Sequence, residues 1–469
     1  MIELDQGLIE DISEVTYKNV FVYRYLTEKL FYVEDEDELI NNSAYSGKNP
    51  PLLQMKGSEY VVETVLKSYY ERLEPRDYLF IGGMFRKNIG GELVHTALDP
   101  YIDLLDASKY TMIEPCNEIN SEIPLHTINC HPILRNHIVN GYGIDRIDLA
   151  ELEEAMNDSL FPVVERFYAL RLPHCQKESI LSSLQWSLAL RRAYMSFYEE
   201  VIRRVAPKVV LHSHGTSRNC CYAYEVAKRN GIPCIEIDHG AIIHTRRYTQ
   251  NSKYSDLHFS FSDLAEKSAR DLGVTNVRAV GKPGVLQKGE DYAGLNMRIT
   301  VVCVISSCEQ GLLEKAGILS EMLPSESYIV MYKRHSAEKW DEETDGYIRK
   351  TYSRLKVMEF GVDINDIYRI SHIVIGEKST ALLEAIPYEH IKILINKRRN
   401  DTSLEEGGCL AFFEQVVNNE EMIYTESVDE MYKEIMSYDR LNNFRPKGDI
   451  YWHKDPEKSF LKSLECFHS

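Results

Sequence analysis

The sequence predicts an α/β protein built as two successive parallel-sheet units, and three observations predict it. Residues 208–237 read strand, helix, strand in about 30 residues, the spacing of a parallel pair joined by a right-handed crossover. A second cycle of the same kind starts at residue 298. Between the two lie Gly281-Lys-Pro-Gly284 and a polar stretch to Asn296, the composition of a linker. Ligands of open parallel sheets bind outside the carboxyl ends of the strands, so two such sheets facing each other imply a central cleft. The expected division is an N-terminal domain over 1–285 and a C-terminal domain over 286–469.

The elements follow in order. Residues 77–82 (DYLFIG) read as a buried strand, and the loop after it carries Arg86, Lys87, Gly90, Gly91 and Glu92. Apolar spacing predicts amphipathic helices over about 148–172 and 177–205. The second stops at Pro207, which has no N–H to donate. Residues 208–212 form a β-branched strand, and the helix 217–230 ends on Asn230-Gly231, a good C-terminal stop. The strand 232–237 then runs into Asp238-His239-Gly240. Residues 257–261, 263–272 and 277–280 read as strand, helix and strand. Past the linker, strands are expected at 298–305, 328–332, 357–360, 372–375 and 391–395, with helices between them, including 309–323.

Composition removes several classes of function. With 72 acidic against 54 basic residues the formal charge is −18, which argues against nonspecific binding to a nucleic-acid backbone. No stretch approaches 18 uninterrupted apolar residues, so no spanning helix is expected, and the acidic N-terminus does not read as a secretory signal. The ten cysteines show neither CxxC pairs nor zinc spacing; even the adjacent Cys220 and Cys221 read as free thiols of a reducing compartment. The expectation is a cytoplasmic protein. Short basic clusters, Arg246-Arg247 and Lys397-Arg398-Arg399, leave room for peripheral contact at the inner face of the membrane.

Three segments have residue types suited to chemistry. In Ile373-Val-Ile-Gly-Glu-Lys-Ser-Thr-Ala-Leu-Leu-Glu384 an apolar strand enters a small polar turn and then a helix. Ser379 or Thr380 suits the N-cap, free N–H groups and Lys378 suit a phosphate, and Glu384 suits ribose hydroxyls one turn on. An ordinary capped turn with a solvated Glu has the same pattern. Met331-Tyr-Lys-Arg-His335 ends a strand in three potential cations, Lys333, Arg334 and His335, which suit a diphosphate or simply solvent. In Glu236-Ile-Asp-His-Gly240, strand alternation puts Glu236 and Asp238 on one face, and Asp238 or His239 is the right kind of group to take a proton from a hydroxyl. Leu211-His-Ser-His-Gly215 lies one strand earlier; His212 and His214 lack a third ligand at metal spacing, so no metal is expected. His214, Glu236 and Arg86 are the candidates for the acceptor side.

Taken in order, four stretches resemble the GT-B glycosyltransferases, in particular the bacterial surface-polysaccharide group with capsule transferases, sialyltransferases and CDP-glycerol glycerophosphotransferases. They are Arg229-Asn-Gly-Ile-Pro-Cys-Ile-Glu-Ile-Asp-His-Gly240, Asn276-Val-Arg-Ala-Val-Gly-Lys-Pro283, Met331-Tyr-Lys-Arg-His335 and Asp366-Ile-Tyr-Arg-Ile-Ser-His-Ile-Val-Ile-Gly-Glu-Lys-Ser-Thr-Ala-Leu-Leu-Glu384. The resemblance covers about residues 205–400. It implies two Rossmann-like domains, acceptor-side first and donor-binding second, with Asp238 or His239 as base and with His335, Ser379 and Thr380 on the donor phosphate. Where that group has His-Pro this chain has His335-Ser336; its Asp-Gly pair is interrupted by His239, and its Gly-x-Pro appears as Tyr388-Glu-His-Ile391. The implied reaction is single displacement of a nucleotide by a hydroxyl of a glycan or glycolipid acceptor, without a cofactor. CDP-polyol phosphate transfer, nucleotide-sugar 2-epimerisation and a non-catalytic nucleotide-sugar-binding role are the alternatives.

Overall fold

The structure is a computed structural model that describes residues 15–22, 69–114, 127–134, 145–213, 218–238, 255–284, 298–306, 311–335, 340–358, 362–377, 380–396, 422–438 and 453–467, with short breaks inside several spans. A small antiparallel hairpin, β1 (Thr16–Tyr17) and β2 (Val20–Phe21), precedes the first sheet. That sheet has seven strands: β3 (Tyr78–Ile81), β6 (Tyr110–Glu114), β7 (Thr127–Asn129), β8 (Val209–His212), β9 (Cys234–Ile237), β10 (Leu257–Ser260) and β11 (Val277–Ala279). Between β3 and β6 the chain inserts a second antiparallel hairpin, β4 (Arg86–Ile89) and β5 (Glu92–His95). The segment read as a loop is thus paired over Arg86–Ile89 and Glu92–His95.

The second sheet has six strands: β12 (Thr300–Ile305), β13 (Tyr328–Lys333), β14 (Lys356–Val357), β15 (Ile373–Gly376), β16 (Lys392–Asn396) and β17 (Ile423–Thr425). Every pairing within both sheets is parallel. The first sheet is ordered β7-β6-β3-β8-β9-β10-β11 and the second β14-β13-β12-β15-β16-β17. Counted along the chain within each sheet, both orders begin 3-2-1-4-5-6, and the first adds a seventh strand. This is the doubly wound Rossmann order, twice. Its switch points, where ligands bind outside the strand ends, fall between β3 and β8 and between β12 and β15.

A parallel sheet needs both faces covered, and alternate residues of each strand point to opposite faces. On one face of the first sheet, Leu79, Ile81 and Val210 pack under α2 (Leu149–Asp158), α3 (Leu160–Tyr168), α4 (His174–Val205) and α5 (Arg218–Arg229). The 32-residue α4 buries Ile180, Leu184, Leu188, Tyr198 and Ile202, and ends where Ala206 turns to φ +45° before Pro207. On the other face, Phe80, Val209, Leu211, Ile235 and Phe259 meet α1 (Asp99–Ile102). Further along lie α6 (Asp263–Asp271), α7 (Gly311–Met322), α8 (Glu342–Thr351), α9 (Ile364–Ile370), α10 (Thr380–Glu384), α11 (Val428–Met436) and α12 (Pro456–Glu465).

The core on that second face continues without a break into the other sheet, through Cys303, Ile305, Val374, Ile393 and Ile395. Helix α12, the last of the chain, returns to the first sheet. Phe460 is fully buried, with its ring 4.8 Å from Tyr101 and 5.9 Å from Phe259 between centroids. Arg278 donates to Ser463 at 3.3 Å, and His453 bridges Asp263 (2.9 Å) and Ser459 (2.6 Å). Gly281 has φ +78°, and a Cβ there would meet Pro456 Cβ at 2.7 Å, so no other residue fits under the start of the helix. Among the described residues no helix is long and apolar enough to cross a membrane.

Truncating Phe460 tests this return. Phe460→Ala is expected to lower unfolding stability by about 3–5 kcal/mol, read as a lower urea midpoint at constant m. An unmoved midpoint would mean that α12 holds nothing together.

Candidate functional site

At the carboxyl end of the first sheet, polar side chains form a row across three central strands. Strand register pairs His212 with Glu236 and Glu236 with His258, so the three lie side by side on β8, β9 and β10. All are at most 3% exposed. Ser255 links them, donating to Glu236 Oε2 at 3.4 Å and lying 3.5 Å from His212 Nε2. Two residues beyond Glu236, and so on the same face, Asp238 ends the row. Its Oδ1 lies 2.6 Å from His258 Nε2, while His258 Nδ1 lies 3.7 Å from Glu236 Oε2. Asp238 is 1% exposed, and its backbone N–H donates to the Phe259 carbonyl at 3.0 Å. Ionisable groups buried in this way are expensive unless paired, and here the imidazole sits between two carboxylates. His258 was not among the residues singled out in the sequence. A lone His between apolar neighbours in a strand has no signal of its own; only the β9–β10 register reveals it.

A second buried cluster sits at the ends of β3 and β6. Arg86, only 8% exposed at its side chain, donates Nε–H to Glu114 Oε2 at 2.5 Å and Nη1–H to Asp99 Oδ2 at 3.1 Å. Its Nη2–H reaches Thr127 Oγ1 at 3.2 Å. His95 Nε2 stands 3.9 Å from Glu114 Oε1. Gly82 makes room, since a Cβ there would meet Met112 at 2.9 Å and Glu114 at 3.0 Å. Burial pushes the Glu114 carboxyl up to about 7; the Arg86 charge pulls it down, and burial wins. Burial, with Arg86 next, pushes His95 down to about 3. Arg86 is therefore engaged by acids inside the fold.

On the second sheet, Lys333 ends β13 opposite Ile305, and Arg334 and His335 follow it, all half-buried. The Arg334 guanidinium lies 4.9 Å from the Trp340 ring, which stacks on Tyr332 at 6.3 Å. Beyond the switch strand β15, Glu377 Oε1 accepts from Asn396 at 2.9 Å. Thr380 opens α10, which is braced by Tyr368 donating its hydroxyl to the Ala381 carbonyl at 2.5 Å. At its end, Glu384 Oε1 accepts from Lys282 Nζ at 2.6 Å, a bond from the end of the first sheet to a helix of the second. Lys282 was read as linker and as part of the Asn276–Pro283 stretch of the resemblance, with no role of its own. His214, His239, Lys378, Ser379 and the Thr380 side chain lie outside the described residues. Among the described residues no group of three or more His, Cys, Asp or Glu side chains is arranged to hold a metal ion.

No protein-family model matches the chain, and no curated protein matches it. Solved structures do. The chain is similar to the UDP-GlcNAc 2-epimerase from Neisseria meningitidis bound to UDP-GlcNAc, at 11% identity over 83% of this chain and 99% of that one, TM-score 0.48. It is similar to MurG from Acinetobacter baumannii at 10% identity over 84% and 99%, TM-score 0.46. It is similar to the wall teichoic acid polymerase TagF at 10% identity over 93% and 98%, TM-score 0.49.

The raised Glu114 carboxyl predicts a pH dependence. Between pH 4.5 and about 7 the folded chain holds this proton and the unfolded chain does not. The stabilisation is thus complete below pH 4.5 and lost as the pH rises through 7. Relative to Glu114→Gln, the wild type should lose on the order of 3 kcal/mol across that window, at 1.36 kcal/mol per pKa unit. Urea unfolding of both proteins at pH 4.5 and 7.5 checks it; a constant difference would contradict the burial effect.

Proposed function

We propose that this chain is a GT-B-type glycosyltransferase that moves a sugar from a nucleotide-activated donor to a hydroxyl of a surface-glycan acceptor by single displacement. The observation that carries the proposal is the buried pair of Asp238, at the tip of β9, and His258 of β10, one strand away from the β3–β8 switch point of the first sheet. A sheet of this order takes its ligand outside the carboxyl ends of its strands, and a buried carboxylate there, held at 2.6 Å by an imidazole, is a group fixed in place. A base must come within about 2.6–3.2 Å of the hydroxyl it deprotonates. Asp238 is 1% exposed and already bonded, which favours the next residue, His239, as the base and gives Asp238 the part of holding the strand tip and its charge.

The donor side follows the same logic. Glu384 reads the ribose, and Lys333, Arg334, His335 and Lys378, with the Ser379–Thr380 turn, neutralise the nucleotide as it leaves. Positive charge placed before the reaction needs no reorganisation when the phosphate charge develops. Glu236, His214 and the Arg86 cluster line the acceptor side. In this reading the two domains are residues 1–285 and 286–469, with α12 crossing back onto the first sheet, and work at the cytoplasmic face of a membrane would bring the enzyme to a glycolipid acceptor.

Thermal-shift titration with UDP, GDP, CDP and CMP, then with their sugar conjugates, tests the reading. One nucleotide should stabilise the fold by roughly 2.7 kcal/mol at about 100-fold excess over Kd. His335→Ala should remove the shift and Glu384→Ala should reduce it, while His239→Ala should keep it and lose transfer. No shift with any of the nucleotides, on folded protein, would sink the proposal.

A further inference from the structure

We infer that Lys282 is a positioning residue for nucleotide recognition: it holds Glu384 ready for the ribose and ties donor binding to the N-terminal domain. The inference rests on the donor-site reading of Glu384 given above. Gly281 before Lys282 has φ +78°, lies against Pro456 and accepts a hydrogen bond from the Tyr101 hydroxyl at 2.5 Å through its carbonyl. Gly284 beyond has φ +77°. The backbone at Lys282 is therefore set by the terminal helix on one side and by α1 on the other. From that anchor the side chain crosses to the second sheet, its ammonium 5.7 Å from the Phe261 ring centroid and 2.6 Å from Glu384 Oε1.

The pair is mostly out of water, with 17% of the Lys282 side chain and 13% of the Glu384 side chain exposed. At that depth an unpaired carboxylate is costly, so the lysine decides where the carboxylate points. Among the described residues Lys282 is the bonded partner of Glu384, and it takes one oxygen, Oε1. A carboxylate has room for about four hydrogen bonds, so Oε2 keeps its acceptor capacity for vicinal hydroxyls. A carboxylate preset in this way loses no rotamer freedom when a ribose arrives. Because the lysine belongs to the end of the first sheet and the glutamate to the second, the same bond makes ribose binding sense how the two domains sit.

The test compares each ribonucleotide with its 2′-deoxy counterpart by calorimetry: UDP, GDP, CDP and CMP against dUDP, dGDP, dCDP and dCMP. In the wild type the ribonucleotide that binds should do so on the order of tenfold tighter than its deoxy form, because a site built to bond a hydroxyl rejects the ligand without it. Lys282→Met should weaken the ribonucleotide more than the deoxy form and bring the ratio close to one. Lys282→Arg, which reaches the same carboxylate, should restore most of the ratio. If Lys282→Met does not fold, Lys282→Gln reads the same ratio. Equal weakening of both ligands, or an unchanged ratio, overturns the positioning role while nucleotide binding by the wild type leaves the donor site standing. Wild-type protein that binds no nucleotide at all overturns both.

Discussion

One apolar core covers the inner faces of both sheets, and the rest of the molecule is arranged around keeping it closed. Phe80, Leu211 and Phe259 from the first sheet belong to the same cluster as Cys303, Val374 and Ile393 from the second. Parallel strands are apolar on both faces, so each sheet needs cover it cannot supply alone. Helix α12 supplies part of it by returning across the chain, and Phe460 between Tyr101 and Phe259 is where it closes. Gly281 is obligatory at that junction because Pro456 leaves no room for a Cβ. The strand ends are held in fixed relation as a result.

Against this apolar background the buried charges stand out, because each must be paired to be tolerated. Two sets lie at the ends of first-sheet strands and differ in kind. In the Arg86 set one guanidinium serves two carboxylates and the hairpin β4–β5 is clamped to β6, so the charges hold structure. In the Asp238 set one imidazole of β10 lies between two carboxylates at the end of β9, one strand away from a switch point. The Arg86 cluster therefore braces a hairpin, and the Asp238 row bridges β9 and β10.

The Lys282–Glu384 bond belongs to neither set. It connects the end of β11 to the helix after β15, and so ties the Glu384 carboxylate to the first sheet.

Local pattern was enough for much of this. Alternation placed Glu236 and Asp238 on one face, Pro207 ended α4, and the strand–helix–strand rhythm from 208 onward located β8 to β11 and the helices between them, all from neighbours within a few residues. Where the partner is distant in sequence the reading ran out. His258 became part of the site only through register with β9, and Arg86 turned inward only because β6, not foreseen as a strand, brings Glu114 beside it. Lys282 looked like linker because its partner lies 102 residues on, and α12 was not foreseen at all. The sequence by itself determined most of the strands and helices between residues 208 and 396, since periodicity and chain stops act locally. Only the tertiary structure decided which polar residues meet, because register, burial and the path of the last helix are set by the one packing that covers both sheets.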